Sequence, residues 1–219
     1  MDSWFKTEQL GEGVIRITEP FVHEFYRANF YRILGRDFDI QFDFGIGILS
    51  LAEVSAADAH PVLAIASHAH VDHIGRFHEY SRRAGHRLEA HTFATLDDNG
   101  TVESWYRKQQ RPVEQLPHPG WTIADYRLRP APLTEMLEES DVVDLDNRKF
   151  TGGEFFSADA IYDDVPVDDV PTANIAAYLK TMRRLSELDI AIGHGGHGPS
   201  FDNKRMHEIA RDYIASKGG

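Results

Sequence analysis

His68, His70, Asp72 and His73 fall within six consecutive residues of the segment S-H-A-H-V-D-H-I-G, Ser67 to Gly75. Imidazole and carboxylate groups are the ligands that zinc and other borderline divalent metals accept. Isolated surface histidines are common, but four metal-capable side chains at this density point to one coordinated ion or two. The plain alternative is a polar turn whose histidines cap the next helix. A divalent ion with an open position lowers the pKa of bound water from about 15.7 to about 7, giving hydroxide at neutral pH. The same charge polarises a carbonyl and stabilises the tetrahedral anion that follows attack.

The elements around these residues must deliver them to one place. Val62 to Ala66 is a short apolar run, as expected of a strand buried on both faces. His68 and His70 are two apart, so in an extended segment their rings leave the same side, and Asp72 and His73 follow where the chain turns. Upstream, Val14 to Thr18 alternates as a half-buried strand, and Phe30 to Leu34 with Asp39 to Phe44 reads as a strand pair. The glycines of Asp43 to Gly47 allow a tight bend there. Ile48 to Ala57 reads as a short helix, Ile74 to Ala84 as an amphipathic helix, and Leu88 to Phe93 and Val142 to Leu145 as strands. Prolines 112, 117, 119, 130 and 132 mark a loop-rich insertion, where Trp105, Tyr106 and Trp121 either line a pocket or anchor local packing. Strands at Glu154 to Ile161 and Ile190 to Ile192, and helices at Ala173 to Leu188 and after Phe201, complete the chain.

Lys and Arg number 23 against 35 Asp and Glu, a net charge of −12 that repels nucleic-acid backbones. Basic patches at Arg82 and Arg83 and at Arg107 to Arg111 read better as solvated helix faces. There is no cysteine, so neither disulfides nor thiolate ligands are available, and any metal is held by His and carboxylate. The first twenty residues lack the apolar core of a signal peptide, and no run is long enough to span a bilayer. The expectation is a soluble cytoplasmic protein of 219 residues in one domain, or two tightly fused halves. It has a small-molecule substrate and neither a nucleic-acid nor a membrane partner. Its oligomeric state is open.

S-H-A-H-V-D-H-I-G resembles the His-Xaa-His-Xaa-Asp-His signature of the metallo-β-lactamase-fold superfamily. Three further blocks follow the family's order. D-F-G-I-G (Asp43 to Gly47) resembles the strand-end turn ahead of the metal loop. S-A-D-A-I-Y-D-D (Ser157 to Asp164) resembles the segment with the bridging aspartate, and G-G-H-G-P-S-F (Gly195 to Phe201) the one with the last histidine. The resemblance implies an α/β fold, a four-layer αββα sandwich. It implies a hydrolase that cleaves a small ester, thioester or lactone, with one or two divalent ions, zinc first and iron or manganese as alternatives.

It also implies roles. His68 and His70 match the first metal position, Asp72 and His73 the second, and Asp159 the carboxylate shared by both. His197 matches the last ligand better than His194, which then orients a ligand from behind. Asp72 is the candidate for positioning the attacking hydroxide. Tyr162, three residues after Asp159, resembles the phenol of lactone-cleaving members, or else is a packed aromatic at a strand end. His23, His60, His78, His86, His91, His118 and His207 are left as ordinary polar positions. One departure stands out: the family's T-P-G-H-type turn, with a third histidine for the first position, has no counterpart. The chain runs D-V-V-D-L-D-N-R-K-F-T-G-G-E-F-F-S-A-D, with no histidine between His118 and His194. That keeps open a metal-binding member with impaired hydrolysis, or an iron-dependent oxygenase or redox protein of the same fold.

Overall fold

Alternating and apolar stretches of the first two thirds of the chain assemble into one mixed sheet. Its strands are β1 (Lys6–Gly11), β2 (Val14–Thr18), β3 (Asn29–Ile33), β4 (Asp39–Phe42), β5 (Val62–Ile65), β6 (Arg82–His86) and β7 (Glu135–Leu137), in that spatial order. The computed structural model describes residues 3–11, 13–51, 54, 60–145 and 153–218, and it divides into two units, Met1–Arg148 and Lys149–Gly219. In the first unit β1 to β4 pair antiparallel through short connections, whereas β4 to β7 pair parallel. Parallel neighbours put the chain exits of β5 and β6 on the same edge of the sheet. Ligands in open sheets of this kind gather at such an edge.

One face of this sheet carries Ile17, Phe30 and Ala64 into a core completed by Phe44, Ile46, Val71, Phe77 and Phe93. Tyr106 and Trp121 are buried in that same core. Of the two readings of the insertion's aromatics, they are packing anchors. Three short helices, α1 (Ala90–Thr95), α2 (Asp98–Thr101) and α3 (Glu103–Arg107), follow one another between β6 and β7. Leu96 and Val102 bend the chain between them in left-handed backbone, at φ 57° and 50°. For β-branched Val102 that conformation is costly.

The expected helix at Ile74 to Ala84 is instead a 3₁₀ turn, Phe77–Glu79, followed by β6. The three- and four-residue spacing of its apolar side chains is real, but they enter the core from successive turns. The expected strand at Leu88 to Phe93 is a 3₁₀ turn running into α1, with Phe93 alone reaching the core. Val142 to Leu145 forms no strand. The expected helix at Ile48 to Ala57 and the junction at Phe150 and Thr151 fall largely outside the described residues.

The second unit holds parallel strands β8 (Glu154–Ala158) and β9 (Ile192–Gly195) with helices α4 (Ile175–Leu185) and α5 (Asn203–Ser216). Asn174 caps α4 by accepting the Ala177 amide, and Asp202 caps α5 by accepting that of Arg205. Each such cap contributes about 1 kcal/mol. The periodic apolar stripe of α5 (Met206, Ile209, Ala210, Tyr213) meets Met182 and Leu185 of α4 around Ile161 and Phe201.

Candidate metal centre

Strand β5 ends at Ile65, and Asp43, just past the end of β4, takes over the next positions. The Asp43 amide donates to the Ile65 carbonyl at 3.0 Å, and Asp43 itself sits at φ 60°. Aspartate is among the few residues besides glycine that tolerate this region. Its buried carboxylate is a hub. Oδ1 accepts the Ser67 amide at 2.8 Å, while Oδ2 accepts the Ser67 hydroxyl at 2.8 Å and lies 2.9 Å from His73 Nδ1. A carboxylate there holds the ring proton on Nδ1 and leaves the Nε2 lone pair for a ligand. Ser67 Oγ spends its one proton on Asp43, so at 2.9 Å it accepts from His68 Nδ1. His68 is thereby set in the same tautomer as His73.

The metal loop is held through its backbone as well. Ala69 N donates to Glu89 Oε1 at 3.3 Å and Val71 N to the Thr101 carbonyl at 2.8 Å. His73 N donates to His70 O, and Gly75 N to Gly45 O, both at 3.0 Å. Gly75 and Gly47 touch so closely that a Cβ on Gly47 would come within 2.4 Å of the Gly75 carbonyl carbon. Behind this turn the buried Glu19 carboxylate accepts Trp4 Nε1 at 3.0 Å and the Ile46 amide at 2.7 Å. Burial pushes the Glu19 carboxyl above its ordinary value, and these hydrogen bonds pull it part of the way back. The outcome is a compact donor group. Ligand atoms of His68 and His70 lie within 4.8 Å of each other, as do those of Asp72 and His73. Asp72 Oδ2 is 3.8 Å from His73 Nε2.

The second unit brings three of the expected residues together. Ala158, at the end of β8, is forced to φ 43° next to a bulge in the β8–β9 ladder, and Asp159 follows immediately. Strain of this kind persists only where the surroundings over-determine it. Gly196 N donates to the Ala158 carbonyl at 2.8 Å, tying the Asp159 segment to the one carrying His197. Asp159 Oδ1 lies 3.6 Å from His197 Nε2. His194, on β9, is buried, with its Nδ1 2.9 Å from Ser200 Oγ and its ring 5.0 Å from that of Phe156. Tyr162 stacks edge-on to His197 at 5.5 Å. Its hydroxyl donates to the Val165 carbonyl at 3.2 Å and accepts the Val167 amide at 3.1 Å, clamping the turn between them.

These donors suit a zinc-class ion: imidazoles with Nδ1 engaged and Nε2 presented, alongside carboxylates, without a thiolate. The sequence displays the metal-capable side chains but not what orients them. Asp43 was read only as part of a glycine turn. Glu19 and Glu89 carry no local signal, since each acts on residues 15 or more positions away.

No family model matches this chain. Curated relatives do. The acyl-coenzyme A thioesterase MBLAC2 of Bos taurus is 29% identical, the match covering 98% of this chain and 88% of that protein. The Homo sapiens protein of the same name matches to the same extent. Solved structures agree on the fold: a metallo-β-lactamase from Hirschia baltica has TM-score 0.63 at 16% identity, covering 96% of this chain and 98% of that one. FIM-1 from Pseudomonas aeruginosa, in a mono-zinc form, has TM-score 0.60 at 13% identity, covering 99% and 97%. The chain has the fold of the metallo-β-lactamases. That is an α/β fold, and the curated relatives it matches are named as hydrolases. The thioesterase match runs over 253 positions against 219 residues here, so at least 34 of them face a gap in this chain. No described helix is long and apolar enough to cross a membrane.

Proposed function

We propose that this metallo-β-lactamase-fold hydrolase cleaves an acyl thioester of the coenzyme A class. In this reading His68, His70 and Asp159 hold one ion, and Asp72, Asp159, His73 and His197 a second, with both units acting as one domain. A divalent ion so held supplies an activated water and polarises the carbonyl. The chain does the rest. Asp43 keeps His73 and, through Ser67, His68 in the ligating tautomer. Asp72, buried beside His73, orients the attacking water and takes its proton on a carboxylate oxygen. The observation that carries the reading is the donor loop braced by Asp43, in a chain whose full-length match is to proteins named as acyl-CoA thioesterases.

Among esters, thioesters and lactones, the thioester fits best. The lactone reading drew on a phenol aimed at substrate, whereas the Tyr162 hydroxyl is engaged by Val165 and Val167. Tyr162 is therefore assigned to holding the turn beside His197. Zinc is the ion proposed and the cytoplasm the compartment, since His and carboxylate ligands and the absence of cysteine suit both. Free-thiol release from short- and long-chain acyl-CoA, before and after chelation, tests the proposal. Chelator-sensitive thiol release is expected. A preparation that opens lactones but leaves every thioester intact would overturn it. A second reading, a metal-binding member with impaired hydrolysis, is favoured by the absent third histidine and the gap of at least 34 positions. A metal-loaded sample inert to both substrate panels would establish it.

A further inference from the structure

We propose that Glu89 is a positioning residue of the metal loop, setting the spacing of His68 and His70 through the amide between them. The proposal rests on the metal-site reading above. It starts from the sheet: β5 and β6 are parallel neighbours with Ile65 opposite Ala84, and Ala66 N donates to the Ala84 carbonyl at 3.0 Å. The two strands therefore leave the same edge in step, β5 into His68–Ala69–His70 and β6 into the turn Arg87–Glu89. That turn is braced where it begins. His86 Nδ1 accepts the Leu88 amide at 3.3 Å, and Arg87 Nε pairs with Glu138 at 2.8 Å.

Glu89 is delivered to the one loop amide flanked by both histidines, and its Oε1 accepts Ala69 N–H at 3.3 Å. Among the described residues no lysine or arginine pairs with it, and it is partly withdrawn from water. A side-chain oxygen in that place gives the half-buried amide a fixed acceptor. Its removal frees the peptide planes on either side of Ala69, and with them the directions of two imidazoles. Residues that orient ligands in this way are typically worth 10–100-fold in metal affinity.

The test measures zinc affinity by competition with a chromophoric chelator, for the wild-type chain, Glu89→Ala and Glu89→Gln. Exchange of the Ala69 amide is followed in the metal-free proteins. Glu89→Ala is expected to bind about 10–100-fold more weakly and to lose protection at Ala69. Glu89→Gln keeps an acceptor oxygen and should stay within about threefold of wild type, with protection retained. A purely structural role would instead lower the melting temperature of metal-free Glu89→Ala without moving affinity, which overturns the proposal. So does a glutamine variant as weak as the alanine one, since charge rather than position would then be at work. If the alanine variant fails to fold, the glutamine variant decides: loss of Ala69 protection overturns the assignment, and retention with near-native affinity supports it. A wild-type chain that binds no zinc defeats the metal-site reading itself, while amide protection still reports separately on the grip of Glu89.

Discussion

The two units hold their share of the donors by different means. In the first, four donors sit on one loop, and its own Ser67 together with side chains from three other segments fixes it. Asp43 and Ser67 set two rings, Glu89 holds a peptide, and Glu19 holds the turn that carries Asp43. In the second, Asp159 and His197 sit on two loops placed largely through backbone groups: a strained Ala158, a bulge, amide–carbonyl bonds from Gly196 to Ala158 and Ala160 to Ser157, and Ser157 Oγ bonded to the Ile161 carbonyl. Side-chain braces fix which ring nitrogen is presented, whereas backbone braces fix only where a residue stands. The first unit should therefore tolerate loss of an individual brace poorly in affinity, and the second unit should lose whole ligands while keeping its fold.

The largest effect is expected at Asp72, where no packing role competes with chemistry. Asp72→Ala should lower turnover by about 10³-fold, within the range general-base catalysis contributes, and release part of the bound metal. Native turnover with full metal content in that variant would remove Asp72 from the mechanism. Next comes the brace itself. Asp43→Ala frees two ligand rings at once and should cost about 100-fold in zinc affinity, whereas Ser200→Ala, behind His194 only, should cost a few-fold at most. Equal losses in chelator competition would erase the difference drawn between the units.

Much of this was legible in the sequence, for a physical reason. The donors are crowded into short segments whose residue types have few other uses, so His68, His70, Asp72 and His73 announce themselves. Strand β5 and helix α5 also read correctly, because their periodicity matches one buried face. The Ile74 to Ala84 stretch misled because apolar residues spaced three and four apart also occur where successive turns each drop one side chain into a core. The braces were illegible for another reason: Asp43 meets His73 across 30 residues and Glu89 meets Ala69 across 20, so only the sheet order brings them together.

A smaller effect separates the second unit's two histidines. His197, beside Asp159, should take metal with it when changed to alanine, and His194, buried against Phe156 and bonded to Ser200, should leave most of the metal in place. Elemental analysis of both variants checks this, and the reverse ranking would exchange their roles. The same samples report stoichiometry. If the ligand assignment proposed above holds, the first position lacks a third histidine, and the purified chain should retain about one ion per molecule after dialysis. Two chelator-resistant ions in a chain of the mass of 219 residues would show that a further ligand had gone unrecognised.

The smallest effect distinguishes the anchors of the two units by the sign of their pH dependence. Glu19, in the first, has its carboxyl raised above 4.5 by burial. The folded chain then binds that proton more tightly than the unfolded chain does. Its contribution is full below about pH 4.5 and is lost as pH rises through the folded value. Asp168, in the second unit, is lowered below 3.8 by hydrogen bonds from Lys217 and Tyr213, so its contribution is present above that pH and fades as pH falls through the folded value. Replacing Glu19 by Gln removes the first slope, so the melting temperature of Glu19→Gln minus that of wild type should climb between pH 4.5 and pH 7. Asp168→Asn should shift the same difference upward only below about pH 4, and by less, because Asp168 is solvent-screened. Melting curves of the metal-free proteins across both ranges give the two slopes. Parallel curves for Glu19→Gln and wild type would mean that the buried carboxyl titrates as it does in the unfolded chain, and the turn behind Asp43 would then not be held in the way the hydrogen bonds to Ile46 and Trp4 indicate.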